Sequence, residues 1–126
     1  MKYKIEYSDN LPKEYGGYCY FPLVPVIGTC RIVIRPKYRG DIGLHEHELV
    51  HCRQYRRNFL HGLLWAISKK YRLKCEIEAY KEQLKNYGCM TIDCAKWVAR
   101  ALYEKYDFDI TYNEALQIVK TALIPH

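Results

Sequence analysis

The chain has 126 residues, 49% of them hydrophobic and 27% charged, with a formal net charge of +6. That length fits a single domain spanning 1–126, and the balance of apolar and charged residues excludes long disorder. The longest apolar stretch, 59–67, is interrupted by His61 and Gly62 and is far shorter than a membrane span. The positive charges are spread along the chain, which points to solubility rather than to a nucleic-acid footprint.

Lys2 to Tyr7 alternates, with Tyr3, Ile5 and Tyr7 on one face, and predicts a short first strand. Residues 8–17 carry Asp9, Asn10, Pro12, Gly16 and Gly17 and read as loop. Tyr18 to Ile27 is aromatic and β-branched but contains Pro22 and Pro25, so an irregular edge strand is expected. Cys30 to Arg35 is the best strand pattern, ended by Pro36, and is expected equally as a core strand or at the rim of a cleft. Asp41 is positioned to cap a helix from Ile42 to Arg57, whose last turn holds Arg53, Arg56 and Arg57.

Leu60, Leu63, Leu64 and Ile67 then predict a connector helix within 58–70, and Arg72 to Tyr87 a longer one that stops at Gly88. Thr91 precedes a helix from Ile92 to Tyr106, and Thr111 with Glu114 forms a capping box that opens the last helix, to about Leu123 before Pro125. The expected fold class is α+β: a small antiparallel N-terminal sheet followed by a mostly helical part.

The helix from Ile42 carries the chemistry. His45 to Tyr55 reads H-E-H-E-L-V-H-C-R-Q-Y and contains one H-E-x-x-H motif, His47, Glu48 and His51. Residues four apart on a helix lie about 40° apart around the axis and one turn apart along it, so both imidazoles leave one face. They can grip one metal ion together. Glu48 lies about 100° round from His47, where it reaches a water beside the ion rather than the ion itself. A catalytic zinc keeps three protein ligands and one open position, so a third ligand is required. Glu76 and Glu78, in the C-E-I-E-A-Y run that starts at Cys75, are the candidates.

With H-E-x-x-H followed by a helix bearing E-x-E-A, residues 45–82 resemble the minimal gluzincin-type zinc metallopeptidases, small zincin-like domains encoded by bacteria and phages. The resemblance implies zinc held by His47, His51 and Glu78, one ion per chain, with Glu48 as general base and Glu82 steadying an imidazole. Glu78 and Glu82 share a helix face, and Glu76 stands as the reserve ligand. The activity implied is zinc-dependent hydrolysis of a peptide or protein. So small a chain has little material for subsite walls, so it is expected either to cleave an exposed, extended segment or to take its specificity from a protein partner. No downstream histidine matches the residue that steadies the oxyanion in larger relatives.

Six cysteines, at 19, 30, 52, 75, 89 and 94, include no C-x-x-C pair. The N-terminal residues lack the apolar core of a signal peptide. Free, buried thiols and a cytoplasmic location are therefore expected. The rival reading is a non-enzymatic binding protein on a zincin-like fold. It would use Arg53, Arg56, Arg57, Lys69, Lys70, Arg72 and Lys74 to contact an acidic protein or nucleic acid; no nucleic-acid motif accompanies them.

Overall fold

The computed structural model describes residues 3–22 and 28–124. Lys2, the 23–27 part of the expected second strand and Pro125 lie outside the described residues. Among the described residues the order is β1 (Tyr3–Tyr7), β2 (Gly17–Tyr20), β3 (Cys30–Ile34), α1 (Ile42–Arg57), α2 (His61–Ile67), α3 (Lys69–Tyr87), α4 (Ile92–Lys105) and α5 (Tyr112–Leu123). The fold is α+β, with the sheet built first and the helices after it.

The sheet corrects the expectation of an antiparallel one. Its order is β1-β3-β2, with β1 parallel to β3 from Tyr3↔Cys30 to Tyr7↔Ile34 and β2 antiparallel to β3 from Gly17↔Ile34 to Tyr20↔Arg31. The cause lies in β3, where Cys30, Ile32, Val33 and Ile34 are buried and Arg31 alone is exposed. A strand apolar on both faces takes the centre, and its sequence neighbours are left to pair on either side. The strand at the cleft is consequently β2 rather than β3. Just past β3, the Arg35 guanidinium donates to the carbonyls of Tyr15 at 2.8 Å, Asp9 at 3.1 Å and Pro12 at 3.0 Å, so one side chain pins the whole 8–16 loop.

Caps set the helix ends. Asp41 accepts the Leu44 N–H at 3.0 Å, and Thr111 and Glu114 form both bonds of the capping box. Ser68 accepts the Tyr71 N–H at 3.0 Å, which starts α3 three residues earlier than the apolar stripe suggests and shortens the connector helix to α2. Gly88 ends α3 with φ 68°, the left-handed geometry that a side chain disfavours.

Two cores result. One joins the sheet to α1 through Cys19, Cys30, Ile32, Ile34, Cys52 and Tyr55. The other joins the C-terminal half of α3 to α4 and α5 through Tyr80, Leu84, Val98, Leu102, Phe108 and Val119. Each fully buried aliphatic side chain contributes about 1.5–3 kcal/mol. The α1–α3 contact lies between these cores. Cys19, Cys30, Cys52 and Cys75 are buried and free, but Cys89 and Cys94 form a disulfide, contrary to the expectation that all six thiols are free. Cys89 lies in the turn after α3 and Cys94 in the first turn of α4, where a five-residue separation brings their Cα atoms to 6.2 Å.

Candidate metal centre

Gly43, His47, Val50, His51 and Gln54 form the buried face that α1 turns towards α3. Glu48, also buried, points from the adjoining face towards β2: a Cβ on Gly17 would lie 3.4 Å from Glu48 Oε2. His45, just ahead of the motif, faces elsewhere, with its ring nitrogens bonded to the Tyr7 hydroxyl and the Asp41 carbonyl.

Opposite α1, the residues of α3 that are buried are Cys75, Glu76, Ala79, Tyr80, Gln83 and Leu84. Glu76 therefore meets the histidines. Its Oε1 lies 3.2 Å from His47 Nε2 and 3.1 Å from His51 Nε2. Glu78, two residues on and about 200° round the helix, turns away. Its carboxylate takes a forked bond from Arg57, at 3.1 and 2.6 Å, and a third from Gln54 Nε2 at 2.7 Å. The structure thus brings His47, His51 and Glu76 together and holds Glu78 outside that group.

Glu82 has no hydrogen bond to either imidazole; Gln54 occupies the role expected of it. Gln54 Oε1 accepts His51 Nδ1–H at 2.9 Å while its Nε2 donates to the Cys75 carbonyl at 2.9 Å as well as to Glu78. The amide has no rotational freedom left, and it fixes His51 with Nε2 aimed at Glu76. The sequence signal was present: Gln54 is three residues past His51, on the same face. His47 is steadied by packing instead, with the Tyr80 ring edge-on at 4.5 Å and the His51 ring at 5.0 Å. Its Nδ1 is buried without a hydrogen-bond partner.

Electrostatics follow from this burial. Removal from water would raise the Glu76 carboxyl, but His51 and His47 overcome that and hold it far below the ordinary carboxylate range. The same contact pushes His51 up against its own burial. Protonated His51 can donate from Nδ1 to Gln54 Oε1 and from Nε2 to Glu76, and a bound ion would take the place of the Nε2 proton. Glu48 is raised, because burial and the Glu76 charge outweigh the attraction of the two imidazoles.

The donor set fits a divalent ion. One nitrogen from each histidine and one oxygen of Glu76 lie within 4.8 Å of one another. In tetrahedral zinc coordination, ligand atoms about 2.0–2.1 Å from the ion stand about 3.3 Å from each other, close to the 3.1 and 3.2 Å observed. Two imidazoles and one carboxylate suit zinc. The group opens on a cavity of about 240 Å³ lined also by Glu48 and Gly17. A smaller one, about 150 Å³, adjoins it across His47 and Glu48. Tyr15, Lys105 and Tyr106 line both, and the Tyr15 hydroxyl donates to the Lys105 carbonyl at 3.4 Å across the gap.

His61, a lone histidine in the sequence, is a core residue. It is fully buried, hydrogen-bonded through Nδ1 to the Tyr71 hydroxyl at 2.6 Å, and packed among Phe21, Tyr55 and Trp65. Burial, with His51 and Arg57 adding repulsion, lowers its pKa to about 4. Because that value is below the unfolded one, near 6.5, the neutral ring stabilises the fold above pH 6.5. That contribution is lost as the pH falls towards 4. The fall in Tm between pH 7.5 and pH 5 is expected to be smaller in His61→Gln than in the parent; equal falls would remove His61 as the cause.

Comparison with protein-family models, with curated proteins and with solved structures finds no match.

Proposed function

We propose that the protein is a zinc-dependent peptide hydrolase in which His47, His51 and Glu76 hold the ion and Glu48 is the general base. The observation that carries this reading is the convergence of two imidazole nitrogens on one carboxylate oxygen, at 3.2 and 3.1 Å, beside a buried carboxyl that belongs to the same cavity. Zinc bound there would acidify a water and polarise the scissile carbonyl.

The chain's own residues do the rest. Glu48 takes a proton from the water as its oxygen bonds to the carbonyl carbon, and returns it to the amide nitrogen as the C–N bond breaks. The raised pKa of Glu48 favours the first of these transfers, uptake of the proton from water. Gln54 keeps His51 in the ligating tautomer. A closed structural site has no use for an acid aimed into an open cavity. Nor does the basic surface favour a nucleic-acid or acidic-protein ligand: Arg57 is taken by Glu78, and Lys69 by Asp107 at 3.2 Å and Asp109 at 2.7 Å.

The test is metal content and turnover together. Protein purified without added metal is expected to carry one zinc per chain, to lose peptide hydrolysis on chelation and to regain it with zinc. His47→Ala prepared identically carries little. An absence of bound metal in the parent, even after zinc is supplied, would sink the reading.

A further inference from the structure

Arg72 lies one turn before Glu76 on α3 and lines the cavity at the candidate metal centre, half-buried. Among the described residues no carboxylate pairs with it. The contrast with its neighbours is informative: Asp107, which lines the same cavity, is engaged by Lys69 at 3.2 Å, and Arg57, one helix away, is locked to Glu78 at 2.6 Å. An arginine part-buried in a cavity wall without an anion is suited to take one. Phe21, Trp65 and Phe108 give the same cavity an apolar lining.

We propose that Arg72 binds the C-terminal carboxylate of the substrate, so that the site removes a C-terminal residue with an apolar side chain. The inference rests on the hydrolase reading for the position of the scissile bond. Arg72 and Glu76, four residues apart on α3, share one helix face and both line the cavity. A peptide whose reacting carbonyl lies at the triad can therefore offer its terminal carboxylate to Arg72, with the terminal side chain among the aromatic residues that line the same cavity. An acidic side chain in place of the terminus would put a second charge against the same apolar surface, which is why the terminus is assigned.

The experiment measures binding, not turnover. N-acetyl-leucyl-phenylalanine and its C-terminal amide are titrated into the protein by calorimetry, with zinc and again with a chelator, and the metal content of each sample is recorded. The acid is expected to bind about 10- to 100-fold more tightly than the amide. That gap should vanish in Arg72→Met, partly return in Arg72→Lys and survive in Lys105→Met, which removes the other cation of the cavity wall. Equal binding of acid and amide to the parent overturns the proposal, as does a gap that persists in Arg72→Met or disappears in Lys105→Met. The metal record keeps the two readings apart. An acid preference in protein that never holds zinc leaves the carboxylate site standing without the hydrolase, and zinc-loaded protein indifferent to the carboxylate does the reverse.

Discussion

Glu48→Gln is expected to retain zinc and to lose peptide hydrolysis by about 100- to 10,000-fold, the range supplied by a positioned general acid–base group. The amide has the shape of the carboxyl group, so the contact with β2 at Gly17 survives. It cannot accept a proton from water. Zinc is retained because Glu48 is not among the converging donor atoms, which belong to His47, His51 and Glu76. The measurement is zinc per chain beside kcat for one peptide. Parental kcat in the zinc-loaded variant would take the base away from Glu48; loss of zinc along with activity would make it a ligand.

The second large effect separates the two glutamates of α3. Glu76→Gln is expected to weaken zinc binding by more than about 100-fold, beyond the 10–100-fold usual for an outer hydrogen-bonding partner. It removes one of the three converging donors and the only anion among them, the group that offsets the charge of a divalent ion inside the protein. Glu78→Ala is expected to cost less than about 10-fold. Glu78 reaches the site only through the Gln54 amide, and Gln54 keeps its bond to the Cys75 carbonyl when Glu78 is gone. Competition titration with a zinc chelator of known affinity ranks the two. A larger loss in Glu78→Ala would return the ligand role to Glu78.

The difference between these residues also marks how far the sequence could be read. The H-E-x-x-H spacing and the Asp41, Gly88 and Thr111–Glu114 end signals are local, each settled within one helical turn, and the structure carries them all. The ends of α2 and α3 were less legible because Ser68, a short polar residue in a run of lysines, outweighed the apolar spacing. The choice between Glu76 and Glu78 is not local. It depends on how α3 is rotated about its own axis, which is fixed by Ala79, Tyr80 and Gln83 packing towards α1 and by Arg57 catching Glu78 from a different helix. Helical periodicity identifies a face but does not say which of two faces meets a given neighbour. Nor does it reveal strand order, because the central place of β3 follows from what covers both of its sides.

The donor triad spans the contact between α1, which packs on the sheet core, and α3, which begins the other core, a contact that the Gln54–Cys75 and Arg57–Glu78 bonds also bridge. With an ion bound, an opening that slides these cores apart would have to break either the bond to Glu76 or both bonds to the histidines. An ion present at 100 times its dissociation constant would add about 2.7 kcal/mol to global stability, and to the local opening that part of it which the separated ligands no longer supply. Loading the centre would thus tighten the cooperativity between the two cores.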